Sequence, residues 1–558
     1  MKLSISKTKP MNMNKLFQYL IKGRVIMFSM MLAFFLIACD ETGGLAEDPY
    51  AGGKEPLGIK LLDESPAPDK GIPGTEVVFK AKGLLKYSNP AAGEYKFEFF
   101  INNEKAEILN ATDTTLTVLI PANISSGASF LEMEGQIFFG PRFTVLGNVS
   151  IDENYGIKEG ASGPVYDCLP HSNGGFYIVG GFRYIENSIE NNEVYNSIAV
   201  LTNQGSVVKK SANYYTDGAL GSLNSISRFS DGRLLVSGDI VRYDQTSGIG
   251  NIAIIKSDCS LVTENIELLR QNGETAVKTF SSFNGGAEDA GILKSFVTSN
   301  DDVIAIGNMK QYRRADYANS TYDYIQYDIT EVNSVMKMTI DGNIDQTYHA
   351  GENASGSNGI VNDAYLDGSD GVIIAGDFTA FDGMATGNII RLNADGEVDQ
   401  QYLANIGTGA NGAINVIRYN KALDKAMITG NFTEFNGFRC SGVLMLNGDG
   451  TVDDNFKLKQ LSGGAVNFAT ILNSGKIVLS GTFEKYEGIT RSGMLILESN
   501  GDVEQNFNVP GTFTGQLYNV FETSSTEGYY ALLLVGNFNR FDDQTIRNIV
   551  KIRVMDVE

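Results

Sequence analysis

The stretch IIAGDFTAFDGMATGNIIRLNADGEVDQQY, residues 373–402, returns as MITGNFTEFNGFRCSGVLMLNGDGTVDDNF at 427–456 and as VLSGTFEKYEGITRSGMLILESNGDVEQNF at 478–507. Each copy opens with an apolar run leading into Gly, a polar residue and an aromatic. A second alternating run follows, then a Gly-containing turn and a carboxylate-rich tail that ends in an aromatic. Short apolar runs set off by glycine turns read as strands, and their recurrence reads as a repeat architecture. Aligned on the glycine that ends the second strand, the pattern extends to Gly180, Gly238, Gly307, Gly376, Gly430, Gly481 and Gly536. Each of the seven copies has an opening strand, such as Val361-Asn362-Asp363-Ala364, and a third strand, such as NIIRL at 388–392. Four short strands per unit at this spacing predict the blades of a seven-bladed β-propeller.

The ring also closes in the sequence. The fourth-strand phrase, EVDQQY at 397–402 and DVEQNF at 502–507, has no counterpart after the seventh third strand. It stands instead ahead of the first blade, as VSIDENY at 149–155. Residues 149–155 are therefore expected to complete the last blade, hiding sheet edges that would otherwise face solvent. Across most of 150–558 these phrases resemble the delta-60 family of β-propeller-like repeats, closely in the last four blades and more loosely in the first three.

Upstream, residues 55–147 hold short alternating strands broken by Pro and Gly, with no helical period. The phrases Gly74-Thr75-Glu76-Val77, Asp113-Thr114-Thr115-Leu116-Thr117-Val118, Ile120-Pro121 and Phe143-Thr144-Val145 resemble the IPT/TIG immunoglobulin-like family, which implies a small β-sandwich serving as a spacer. The expected chain is thus all-β: an N-terminal Ig-like β-sandwich (55–147) followed by a propeller (148–558).

Residues 1–38 carry six bases and no acid, and VIMFSMMLAFFLIA (25–38) is an apolar core too short to span a bilayer comfortably. Leu36-Ile37-Ala38-Cys39 resembles the lipobox of bacterial lipoproteins, which implies lipidation of Cys39 and removal of 1–38. The alternative is an ordinary secretory signal with a chance cysteine, and Met11 or Met13 are alternative starts. Asp40 and Glu41 resemble the acidic export signal of surface-exposed lipoproteins in Bacteroidota. Residues 39–54 then read as a polar, Gly-rich tether. The expected address is the outer membrane, facing outward and held through the lipid anchor only.

Composition narrows the function. A net charge of −22 excludes the clustered bases that nucleic-acid backbones demand. Two histidines and four cysteines without CxxC spacing leave no metal centre or cofactor to expect. Asn393-Ala394-Asp395-Gly396 resembles part of a calcium loop, but Asp-Gly is also what a tight hairpin requires.

Uneven loops point to binding. The segment between strands two and three is long in blade one and longest in blade three, and the step from Ile255 to Ile292 is the longest connection between blades. Long loops on a rigid scaffold are where ligands usually bind. The blade-three insertion supplies Arg313, Arg314, Tyr317, Tyr322, Tyr324 and Tyr327; the inter-blade insertion adds Phe280 and Phe283; blade one adds Tyr184 and Tyr195. Aromatic faces with polar neighbours suit a sugar, although the chain has no tryptophan. The whole layout resembles accessory lipoproteins of SusC/SusD-type uptake systems, which implies non-catalytic binding of an extracellular polysaccharide or oligosaccharide. A protein-binding scaffold and a polysaccharide hydrolase or lyase are the competing expectations.

Overall fold

The computed structural model describes residues 56–191, 193–208, 217–349 and 354–555. The signal segment, Cys39, Asp40, Glu41 and the tether lie outside the described residues.

In the N-terminal sandwich, alternation dictates burial. Along Glu76–Lys82 (EVVFKAK), Val77, Phe79 and Ala81 are buried and the residues between them face outward. Hydrogen bonding runs unbroken through eight strands, and the sheet folds over on itself. The Phe79 and Phe99 rings, on strands separated by two others in that order, thereby meet in the core at 4.8 Å.

Seven blades follow, with inner strands beginning at Val165, Ala219, Ile292, Ile360, Ile414, Val466 and Thr514. Each inner strand carries a register shift just after a buried residue near its start. The shift falls between Val165 and Asp167, Leu223 and Ser225, Ile292 and Lys294, Val361 and Asp363, Ile414 and Val416, Val466 and Phe468, and Leu517 and Asn519. This bulge explains the glycine on which the repeats align. A Cβ on Gly376 would stand 2.1 Å from the Ile360 carbonyl oxygen, and one on Gly430 2.1 Å from that of Ala413. Backbone approaches backbone too closely there for any side chain.

Blade seven is closed by Val149–Ile151, which pairs antiparallel with Ile549–Val554 in the order Val149–Ile151, Ile549–Val554, Tyr530–Arg540, Thr514–Ser524. In the other six blades the fourth strand shrinks to single bridges, such as Leu392 with Val398 and Leu497 with Val503. The carboxylate-rich tails cap turns instead of extending strands. Asp399 accepts hydrogen bonds from the N–H groups of Gln401 and Tyr402 and starts the one α-helix among the described residues, Gln400–Ile406. Glu504 caps a 3₁₀ turn, Gln505–Phe507, in the same way. The aromatic that ends each tail is buried: Tyr155, Tyr348, Tyr402, Phe456 and Phe507.

The sandwich is fastened to blades six and seven. Arg142 donates to Asp542 Oδ1 (2.6 Å) and Asp543 Oδ2 (3.2 Å), Gln505 Nε2 to the Ile124 carbonyl (2.6 Å), and the Thr490 N–H to Glu104 Oε1 (3.0 Å). Every one of these propeller residues lies between strands two and three or between blades. The sandwich therefore contacts one face of the ring, the face at which inner strands begin.

Candidate functional site

At the other face the inner strands end around a cup. A cavity of about 580 Å³ is lined by residues from all seven inner strands or the turns that follow them, from Asp167 in blade one to Glu522 in blade seven. Its floor is held by Arg418, whose side chain crosses from blade five to blade seven. Nε and Nη2 both donate to the Tyr518 carbonyl, at 3.0 and 2.6 Å, and Nη1 donates to Asp363 of blade four. The Tyr166 and Tyr518 rings pack 5.3 Å apart one residue nearer the start of their strands.

Carboxylates tie the wall together. Asp167 accepts from its neighbour's N–H (Cys168, 2.9 Å) and from Ile226 of blade two (3.3 Å). Asp363, the same slot in blade four, accepts from Ala364 and from Ile417 of blade five (3.1 Å). Glu522 accepts from the Asn473 N–H (2.8 Å) and the Tyr530 hydroxyl (2.7 Å). These acids are spent on holding blades in place.

One wall is aromatic. Tyr365 and Tyr419 stack with centroids 4.5 Å apart and planes 9° apart. Burial drives the Tyr365 phenol well above its ordinary value; burial and the hydrogen bond to Asp424 push that of Tyr419 up to about 12. Both stay neutral donors at any physiological pH. Tyr419 also borders a second cavity of about 400 Å³, where Arg391 is held by Asp367 (2.7 Å) and by Asp399. The tyrosine pair thus stands between the cup and a pocket on the seam of blades four and five.

The blade-three insertions fold differently from a binding loop. They form two hairpins, Thr263–Leu269 with Thr275–Ser281 and Gln311–Asp316 with Gln326–Glu331. These meet edge to edge: the Tyr322 N–H donates to the Leu269 carbonyl (3.0 Å) and Lys278 Nζ to the Tyr322 carbonyl (3.0 Å). Phe280 packs on Tyr317 at 4.8 Å, the Arg270 guanidinium covers Tyr322 at 4.3 Å, and Arg313 covers Tyr327 at 4.7 Å. Arg314 lies among Glu264, Tyr312 and Tyr317. Tyr324 alone stands well clear, 67% exposed.

Three expectations are corrected. Phe283 (3% exposed) and Tyr195 (1%) belong to the hydrophobic core and present no ring face to a ligand. Arg313 fills a structural slot. In other blades the residue there has positive φ and clamps the preceding connection: Glu186 accepts from the N–H groups of 158–160, Asp244 from Gly218, Asp382 from Gly356. The backbone N–H of Glu186, Asp244 and Asp382 donates to Gly160, Gly218 and Gly356, and that of Arg313 to Gly286. Its guanidinium reaches Glu288 (3.0 Å) and the carbonyls of Gly248 and Ile249. Tyr184 stays with blade one, its ring carrying Arg183 at 5.5 Å.

Sequence reading missed the cup because its residues stand one per repeat. One signal was available. The residue after the bulge is Asp167, Ser225, Lys294, Asp363, Val416, Phe468 or Asn519, a slot that ranges from acid to base to apolar between copies. Among the described residues no group of three or more His, Cys, Asp or Glu is placed to hold a metal ion.

Comparison with known proteins agrees on the fold. Residues 368–402, 425–456 and 472–507 match the model described as Domain of unknown function (DUF5122) beta-propeller. Residues 36–141 and 145–231 match two further domains of unknown function, DUF5008 and DUF5124. No curated protein matches. The WD40 beta propeller domain of Doa1 is 13% identical, covering 72% of this chain and 96% of that one, with a TM-score of 0.38. An auxiliary nutrient binding protein from Bacteroides thetaiotaomicron is 12% identical over 89% and 98% of the two chains, TM-score 0.29. A second, from Bacteroides ovatus, is 13% identical over 67% and 95%, TM-score 0.19. Likeness at this level carries no ligand from those proteins to this chain.

Proposed function

We propose that the protein is a non-catalytic, surface-exposed outer-membrane lipoprotein that binds an extracellular glycan in the propeller cup, beside a SusC/SusD-type uptake system. The observation that carries this reading is the half-buried Tyr419 ring, backed by the buried Tyr365 on which it stacks, at the wall of a polar cavity. An aromatic wall covers the C–H face of a sugar while Asn and Tyr donors take its hydroxyls. Orientation supports the reading: the sandwich, which follows the Cys39 tether in the chain, contacts the opposite face, so the cup opens away from it. Both Asp167 and Glu522 already accept hydrogen bonds on each carboxylate oxygen, which argues against either serving as general acid or nucleophile.

The test is affinity electrophoresis against plant, host and microbial polysaccharides, with released reducing sugar measured in parallel. Retardation that disappears in Tyr419→Ala and persists in Tyr322→Ala and Tyr324→Ala, with no sugar released, supports the cup. Retardation lost only in the hairpin variants moves the site to blade three. No retardation across the panel favours a protein-binding scaffold.

A further inference from the structure

We infer that the cup selects an anionic sugar, one bearing a carboxylate or a sulfate, and that Lys294 supplies the charge that recognises it; this rests on the glycan reading above. Lys294 occupies the slot after the bulge in blade three. In blades one and four the same slot holds Asp167 and Asp363, which lock onto the backbone of the next blade. A lysine cannot accept those N–H groups, so blade three gives up the lock and places an ammonium at the cavity wall instead. Among the described residues the Lys294 side chain has no hydrogen-bonding or ion-pair partner.

The other charges of the cup are accounted for. Arg418 is matched by Asp363, and the oxygens of Asp167 and Glu522 are taken by N–H and O–H donors. Lys421 adds a second ammonium at the rim, also without a partner among the described residues. With Arg418 neutralised by Asp363, the wall keeps two ammoniums without side-chain partners, Lys294 and Lys421, beside two carboxylates, Asp167 and Glu522, whose oxygens are already taken by N–H and O–H donors. An ammonium without a partner, in a recess whose carboxylate oxygens are already occupied, offers an anion a charge that no neighbouring group competes for.

The experiment compares charged and neutral polymers on the full-length protein purified in detergent. Polygalacturonate is set against fully methyl-esterified pectin, and dextran sulfate against dextran, each by affinity electrophoresis and titration calorimetry. A charged member should bind about ten-fold or more tightly than its neutral partner at low salt, and Lys294→Met should remove that advantage. Lys278→Met, on the opposite face, controls for net charge and should leave it unchanged. Which pair responds tells carboxylate from sulfate. Equal binding of charged and neutral polymers, failure of both charged polymers, or an advantage that survives Lys294→Met overturns the inference. If neutral polysaccharides are still retarded and Tyr419→Ala abolishes it, the glycan reading stands without the charge. If nothing in the broad panel is retarded, both fall.

Discussion

The blade-three hairpins and the cup draw on similar residues, tyrosines and arginines beside acids, and use them in opposite ways. In the hairpins the groups satisfy one another: Arg270 lies on Tyr322, Arg313 on Tyr327, Phe280 on Tyr317. The hairpin that crosses from blade two to blade three is thereby stapled to the one inserted in blade three. In the cup, Arg418 and the carboxylates are engaged from below and behind, so a cavity with an aromatic wall remains. Tyr419 is backed on one face by the buried Tyr365 and borders the cavity, whereas Tyr322 and Tyr327 each lie under an arginine.

The largest test of that contrast is to remove the acid under each arginine. Asp363→Ala leaves Arg418 uncompensated and the Ile417 N–H without its acceptor, and should cost about 3 kcal/mol in denaturant midpoint analysis. Glu288→Ala, under Arg313, should cost less than about 1 kcal/mol because that pair is open to solvent on the acid side. Equal losses would erase the distinction. Next in size is Tyr419→Ala, which should weaken glycan binding about ten-fold by calorimetry, the loss of one stacked aromatic contact.

Asp399→Ala removes the cap of Gln400–Ile406 and should cost about 1 kcal/mol. Burial opposes the charge of Asp399, but the Tyr402 and Gln401 N–H groups and Arg391 hold its carboxyl below the usual range. Its folded value is therefore depressed relative to the unfolded chain. The stability it adds is complete above the unfolded carboxylate pKa, about 4, and is lost as pH falls through the folded value. The variant should accordingly lose less stability than the parent between neutral and strongly acidic pH in urea titrations. The smallest effect expected is from Tyr322→Ala and Tyr324→Ala, which should change glycan affinity by less than about two-fold by calorimetry; a larger loss would return the site to the hairpins.

The architecture was legible because its causes are periodic. The bulge forces a glycine in six of the seven second strands, Gly307 alone having room, and alternation marks the inner strands, so Gly180 through Gly536 align in the sequence. The tails were not, because Asp399 and Glu504 compete with strand formation by capping the backbone around them, which a strand pattern cannot register. Arg313 reads as a free cation until its N–H is seen to bond Gly286, placing it in the slot of Asp382. Phe283 and Tyr195 sit in long loops, and only packing shows that these loops turn inward. The cup was hidden for a different reason: Asp363, Arg418 and Tyr518 come from three blades, and nothing local to any of them announces the other two.

The closing strand has a mechanical consequence. Val149–Ile151 is both the outer edge of the last blade and the point where the chain arrives from the sandwich. Any pull on the chain ahead of it would load three residues of pairing with Ile549–Val554 directly. The contacts of Arg142 with Asp542 and Asp543, and of Gln505 with Ile124, pass that force into blades six and seven beside the seam. The sandwich then acts as a strain relief, taking tension off the stitch that keeps the ring shut.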